Sequence, residues 1–161
     1  MGLKNVSDKY PVAVIGAGSF GTAVANLLAE NGEVLLHSRR ADAVDIINHE
    51  RINNGQAIHP NVRATTDLQE ITENCYLLFP SVSSDAFRLT MRQMSPLLRP
   101  YHMIIHCTKG FDIKLEPGKT ILDKDITLKP SDIYTMSKVI LEETCVKRVG
   151  CMSGPNLARE I

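Results

Sequence analysis

Short apolar runs alternate along this chain with longer stretches in which apolar residues recur every three to four positions. That alternation is the pattern of strands and helices taking turns around a parallel sheet. Residues 11–15, Pro-Val-Ala-Val-Ile, are an unbroken apolar run of strand length, and Gly16 ends it. Over residues 21–31, Ala23, Val24, Leu27 and Leu28 recur at helical spacing, and Asn31-Gly32 supplies the left-handed residue on which helices stop. Residues 34–37 read as a second strand and residues 41–53 as a helix with Val44, Ile47 and Arg51 on one face. A weaker strand is expected at 61–65, then a short helix capped by Thr66 through the amide near Gln69. Residues 75–79 read as a buried strand stopped by Pro80, Ser83 or Ser84 opens a helix to Met94, and 103–107 is the next strand.

Beyond that point the rhythm changes. Residues 110–130 show little helical periodicity and are long for a connection, which predicts a small hairpin or a surface excursion. A helix over 131–147 and a short strand over 149–152 follow. Pro155 to Ile161 reads as the first turn of a helix, with proline where a missing amide costs least, so an excised domain or truncated product is expected. The whole chain, 1–161, is expected to be one α/β domain: a doubly wound, mostly parallel sheet with helices on both faces.

Composition narrows the function classes. In 161 residues, 18 Lys plus Arg balance 18 Asp plus Glu, so no global positive field favours a nucleic-acid backbone or an anionic bilayer, and any anion must be held locally. No apolar run approaches the roughly 18–20 residues of a membrane span, and the N-terminal residues lack a secretory apolar core. A cytoplasmic protein is expected. Cys75, Cys107, Cys145 and Cys151 form no C-x-x-C pair and read as reduced core thiols; the five histidines are scattered, and no metal site is expected.

The chemistry concentrates in Gly16-Ala17-Gly18-Ser19-Phe20-Gly21, a G-x-G-x-x-G between a strand and a helix. The first glycine makes the turn, the second leaves room for a pyrophosphate, and the third lets helix and strand pack closely. Unpaired amides at the helix start then face the anion. A carboxylate at the end of the second strand would read the ribose of NAD, but here the strand runs into His37-Ser38-Arg39-Arg40, which tilts the expected cofactor from NAD toward NADP.

Ligands of open parallel sheets lie beyond the carboxyl ends of the strands, which directs attention to Pro80-Ser81, Thr108-Lys109-Gly110 and Ser153-Gly154-Pro155-Asn156. Lys109 would hold an ammonium over the cleft, where it binds phosphate or polarises a carbonyl. Together with the glycine motif and the closing run to Ala158-Arg159-Glu160, these segments resemble, in order and over essentially the whole chain, the Rossmann-type N-terminal domain of bacterial-type NAD(P)-dependent glycerol-3-phosphate dehydrogenases. The resemblance implies reversible reduction of dihydroxyacetone phosphate to sn-glycerol 3-phosphate for phospholipid synthesis, with NADP or NAD as cofactor and a homodimer in the full-length protein. It also implies that Ser19, Phe20, Arg39 and Ala158 contact the cofactor, that Lys109 touches cofactor and substrate, and that Gly154 and Asn156 contact substrate. The family's proton-donating lysine belongs to a C-terminal helical domain, so this chain is expected to bind cofactor without turnover. A non-catalytic dinucleotide-binding module and a β-hydroxyacid or ketopantoate-type reductase are the alternatives. If the chain did turn over, His106 and Lys114 would be the first candidate acids.

Overall fold

The computed structural model describes residues 10–115, 118, 123 and 126–154. In chain order its elements are β1 (Val12–Ile15), α1 (Ser19–Ala29), β2 (Val34–His37), α2 (Ala41–Glu50), β3 (Ile52–Asn53), β4 (Gln56–Ala57), β5 (Val62–Thr65), α3 (Leu68–Asn74), β6 (Leu77–Pro80), α4 (Ser84–Met94), β7 (Met103–His106), β8 (Phe111–Ile113), β9 (Ile133–Thr135), α5 (Met136–Glu143) and β10 (Arg148–Cys151). Six strands make one parallel sheet in the order β10-β7-β6-β1-β2-β5. The chain starts in the middle, works outward to β5, then recrosses β1 and works outward the other way. That reversal opens a crevice at the carboxyl ends of β1 and β6, the place where doubly wound sheets bind their ligands.

Alternate side chains of each strand go to opposite faces. Ala13 and Ile15 of β1 join Phe87, Met91, Met94, Ile104, Met136 and Ile140, whereas Val14 joins Val24, Ala25, Leu36, Ile47 and Phe79. Both layers are buried, which is why the strands read as continuous apolar runs. Backbone bonds continue one residue past the strands: Gly16 N–H donates to His37 O at 3.1 Å, Ser81 N–H to Ile15 O at 2.8 Å and Cys107 N–H to Pro80 O at 2.8 Å. The residues that leave the sheet are thus tied to it by the same kind of backbone bond that holds the strands.

Several elements differ from expectation. Helix α1 begins at Ser19, two residues before the expected start, because Gly18 is its N-cap and Gly21 lies inside its first turns. Helix α2 stops at Glu50: Arg51 turns left-handed (φ 58°), and its guanidinium donates to Val62 O at 2.9 Å and to His59 O. The helix expected to reach residue 53 is replaced by the β3–β4 hairpin, whose turn residues Asn54 (φ 49°) and Gly55 (φ 76°) are the left-handed pair that a two-residue turn demands. Asp67 rather than Thr66 caps α3, its Oδ1 accepting from Gln69 N–H at 2.8 Å. Pro80 is the buried last residue of β6 and does not precede its end.

The helix expected over 131–147 is only α5, preceded by a short 3-10 turn and by β9, which pairs antiparallel with β8. Thus the expected hairpin exists, but its second strand lies beyond residue 130. Cys75 and Cys107 are buried core thiols; Cys145 and Cys151 are exposed and do not belong to the core. Burial pushes the Cys75 thiol up to about 12 and Cys107 upward too, so both stay protonated and inert. The turn expected at 155–161, with Asn156 and Ala158, lies outside the described residues. Among the described residues, no helix is long and apolar enough to cross a membrane.

Candidate dinucleotide site

A cleft of about 290 Å³ opens where β1, β2 and β6 end. Its floor is the glycine turn, with Ile15, Gly16, Ala17 and Gly18; one wall is His37, Ser38, Arg39 and Arg40; the other is Ser81, Val82 and Ser83. Ala86, Thr90 and Gln93 complete it from α4.

The three glycines are needed for different reasons. Gly16 has φ 115°, a conformation that L side chains rarely adopt, and a Cβ there would lie 2.9 Å from Val82 Cγ1. At Gly21 a Cβ would lie 1.9 Å from Gly16 O, so α1 can cross the turn at this distance only without a side chain. A Cβ on Gly18 would meet nothing within 4 Å: the protein itself does not fill that space. Helix α1 has no side-chain cap at Gly18, so the amides of its first turn have no side-chain acceptor. Partial positive charge and open space thus coincide.

Residues behind the turn hold it. The side-chain amides of Asn53 and Asn54 each donate to Ala17 O at 3.0 Å. Asn53 also donates to Thr22 Oγ1 at 2.8 Å, and Thr22 Oγ1 donates to Gly18 O at 2.9 Å. Asn26 fixes the same segment to α1, donating to Ala57 O at 2.7 Å and accepting from His59 N–H at 2.9 Å. The sequence reading ends a helix on Asn53 and gives Asn54 no role, although Asn54-Gly55 is a strong hairpin signal.

At the β2 wall, His37 is buried, and burial pushes its imidazole below the ordinary value; a hydrogen bond to the Thr66 backbone opposes that, and the nearby Arg39 guanidinium reinforces it. His37 is therefore neutral near pH 7, and Arg39 and Arg40 carry the positive charge. Both arginines are exposed at the rim; Arg40 has only a loose, solvated pair with Asp42 at 3.7 Å.

Of the expected residues, Gly16, Gly18, Arg39, Arg40 and Ser81 line this cleft. Ser19 and Phe20 open α1 beside it, with Ser19 exposed and Phe20 half-buried against the core. Pro80 lies within the sheet, behind Ser81. Lys109 is exposed just past β7, between Thr108, whose hydroxyl donates to Val82 O at 2.7 Å, and Gly110, whose Cβ position would lie 3.5 Å from Ser84. The Lys109 segment is thus fastened to the 82–84 wall. Gly154 is exposed after β10, with φ 151°. His106 is turned away from the cleft: its Nε2 meets Ser137 Oγ at 3.0 Å, its ring packs edge-on against Phe87, and burial lowers its pKa. Lys114 is exposed beyond β8.

A family model described as NAD-dependent glycerol-3-phosphate dehydrogenase N-terminus matches residues 11–161. The chain belongs to the NAD-dependent glycerol-3-phosphate dehydrogenase family. Glycerol-3-phosphate dehydrogenases [NAD(P)+] of Pseudomonas fluorescens and Saccharophagus degradans are 38% and 36% identical to it, each over 98% of this chain and over 41% and 40% of their own length. The chain therefore spans about two fifths of these curated relatives. A crystal structure of the glycerol-3-phosphate dehydrogenase of Coxiella burnetii superimposes with a TM-score of 0.73 at 30% identity, covering 94% of this chain and 43% of that one. A ketopantoate reductase of Ralstonia eutropha, at 16% identity and a TM-score of 0.55, shares the fold alone. The reductase alternative thus loses to the dehydrogenase family, whose N-terminal part is its dinucleotide-binding domain.

Proposed function

We propose that this chain forms the cofactor half of a glycerol-3-phosphate dehydrogenase acting between dihydroxyacetone phosphate and sn-glycerol 3-phosphate. The observation that carries the proposal is the glycine turn: an uncapped helix start and an unfilled space beside Gly18, at the point where the strand order reverses. These residues fit a dinucleotide. The amides that open α1 would hold its pyrophosphate, and Arg39 with Arg40 would hold a 2′-phosphate or stack on the adenine. When bound, the nicotinamide supplies or accepts the hydride.

The chain's own residues bind, orient and neutralise. Ser81 and Val82 wall the cleft between the glycine turn and Lys109. Lys109 would bring a cation to the edge of the cleft, where it would stabilise negative charge developing on a substrate carbonyl. Gly154 and Asn156 would contribute to the substrate wall. Delivery of a proton and exclusion of water fall to the part of the relatives' length that this chain does not span. The 161-residue chain by itself would then bind cofactor and leave the substrate unreduced. Four unpaired thiols support a reducing, cytoplasmic setting.

Calorimetric titration of the chain with NADPH and NADH tests this. Saturable binding is expected, tighter for NADPH by about ten- to a hundredfold, the worth of charge-assisted bonds to the extra phosphate. Arg39→Ala should erase most of that ratio, and NADPH should not be consumed with dihydroxyacetone phosphate. No saturation would refute the cofactor reading. Equal weakening of both cofactors by Arg39→Ala would refute the phosphate assignment, and appreciable turnover would refute the division of labour.

A further inference from the structure

The β3–β4 hairpin directs two polar side chains at the back of the glycine turn. A trans peptide unit is planar, with its C=O and N–H pointing in opposite directions. Whatever fixes the carbonyl of one residue therefore fixes the amide of the next. Ala17 O is held by Asn53 and Asn54, at 3.0 Å each, on the hairpin side of the turn. The Gly18 N–H, in the same peptide unit, must then point the other way. Gly18 O is held by Thr22 Oγ1 at 2.9 Å and by Thr22 N–H at 2.8 Å, which sets the Ser19 N–H in the same manner. Asn53 joins the two restraints, because its one amide nitrogen donates both to Ala17 O and to Thr22 Oγ1.

Such a restraint matters here because the turn is built on Gly16 and Gly18, and glycine gives the backbone free access to the flipped peptide. A flipped 17–18 unit would present a carbonyl, a negative dipole end, to the space where an anion binds. Asn53 is buried, and its bonds cross 36 and 31 residues of sequence, so the clamp is a tertiary contact that local turn geometry does not supply.

We infer that Asn53, assisted by Asn54 and Thr22, is a positioning residue that locks the 17–18 and 18–19 peptides with their amides toward the pyrophosphate of the cofactor. The inference rests on the dinucleotide reading proposed above and names a residue group that prepares the site without touching the ligand. Its signature is selectivity for one part of the ligand. Loss of the clamp weakens ligands that carry a pyrophosphate and spares those that engage only the arginine rim.

The test uses the 161-residue chain, NADPH as the pyrophosphate probe and adenosine 2′-monophosphate as the rim probe, with affinities from NMR or calorimetric titration and a thermal melt for each variant. Asn53→Leu should weaken NADPH by about tenfold, the worth of two lost hydrogen bonds, while adenosine 2′-monophosphate changes by less than about twofold. Thr22→Val should behave like Asn53→Leu, and Thr22→Ser, which keeps the hydroxyl, should restore NADPH affinity. Should Asn53→Leu fail to fold, Asn54→Gly serves instead: it keeps the left-handed backbone, removes one exposed amide, and should cost NADPH about threefold. Unchanged NADPH affinity in these variants, or equal losses for both probes, overturns the inference and leaves the cofactor reading standing. Failure of the native chain to bind NADPH overturns both.

Discussion

Gly21→Ala should unfold this protein more readily, against the direction that helix propensity alone predicts. Inside a helix, alanine is favoured over glycine by about 1 kcal/mol. At Gly21, however, the added Cβ would lie 1.9 Å from Gly16 O, 3.1 Å from Gly16 C and 3.3 Å from Ser81 Cβ, where ordinary contact begins near 3.4 Å. The obstacle is backbone, held from the other side by the bond of Gly16 N–H to His37 O, so no side-chain rotation relieves it. Helix α1 must move away from the turn and loosen the contacts of Val24 and Ala25, both fully buried. Overpacking of this kind costs about 3 kcal/mol, which leaves a net loss of about 2 kcal/mol after the propensity gain. For a domain of this size that is a fall in Tm of about 4–8 °C, readable by circular dichroism. Gly18→Ala is the control, since nothing lies within 4 Å of its Cβ position: its melt should stay within about 2 °C of native while NADPH binding is lost. A Gly21→Ala protein as stable as native, or a Gly18→Ala protein that binds NADPH normally, would refute the division of roles between the two glycines.

Two further outcomes follow from buried charge. His37 and His106 are both held below their ordinary value of 6.5 by burial. Below pH 6.5 the unfolded chain therefore takes up protons that the folded chain refuses, so their contribution is complete above that pH and is lost as pH falls through the folded values. Glu143, depressed chiefly by its hydrogen bond with Arg92, and Glu70, depressed chiefly by Arg63, add losses only below their ordinary 4.5, so the interval between isolates the histidines. Tm should decline from pH 6.5 to 4.5, and His37→Phe should flatten the decline; an unchanged slope would sink the assignment. Arg88 bonds Asp112 of β8 at 2.9 Å, Glu142 at 2.8 Å and Glu143, and its guanidinium lies 5.1 Å from the Tyr134 ring centre. Arg88→Met should strip Asp112 and Glu142 of this partner, leaving Glu143 to Arg92 alone, and cost about 2–3 kcal/mol in urea unfolding; a cost below about 0.5 kcal/mol would show the cluster to be solvated.

What was legible in the sequence was what is local. Residues 11–15 and 34–37 announce buried strands because both their faces are covered, and the glycine motif carries its own backbone requirements. The boundary at Glu50 was hidden because helical periodicity continues from Ile47 to Arg51, while the reason for stopping lies in Arg51 bonds to His59 and Val62. Residues 133–135 passed for helix because a three-residue strand declares itself only through its partner, here Phe111–Ile113, some twenty residues earlier. The site divides in the same way. Gly16, Gly18, Arg39, Arg40 and Ser81 follow strand ends and could be read off, whereas Thr90 and Gln93 enter the cleft from α4 and Asn53 reaches Ala17 only through the fold.

The β8–β9 ribbon bears on where this molecule tolerates change of length. Lys114 N–H donates to Asp132 O at 2.8 Å just beyond the paired residues, so positions 114 and 132 stand together at one closed base. That base is fastened to α4 and α5 through Arg88 and lies immediately after the Lys109 segment. Added length between residues 114 and 132 would therefore enter and leave the fold through that base, three paired positions away from the Lys109 segment.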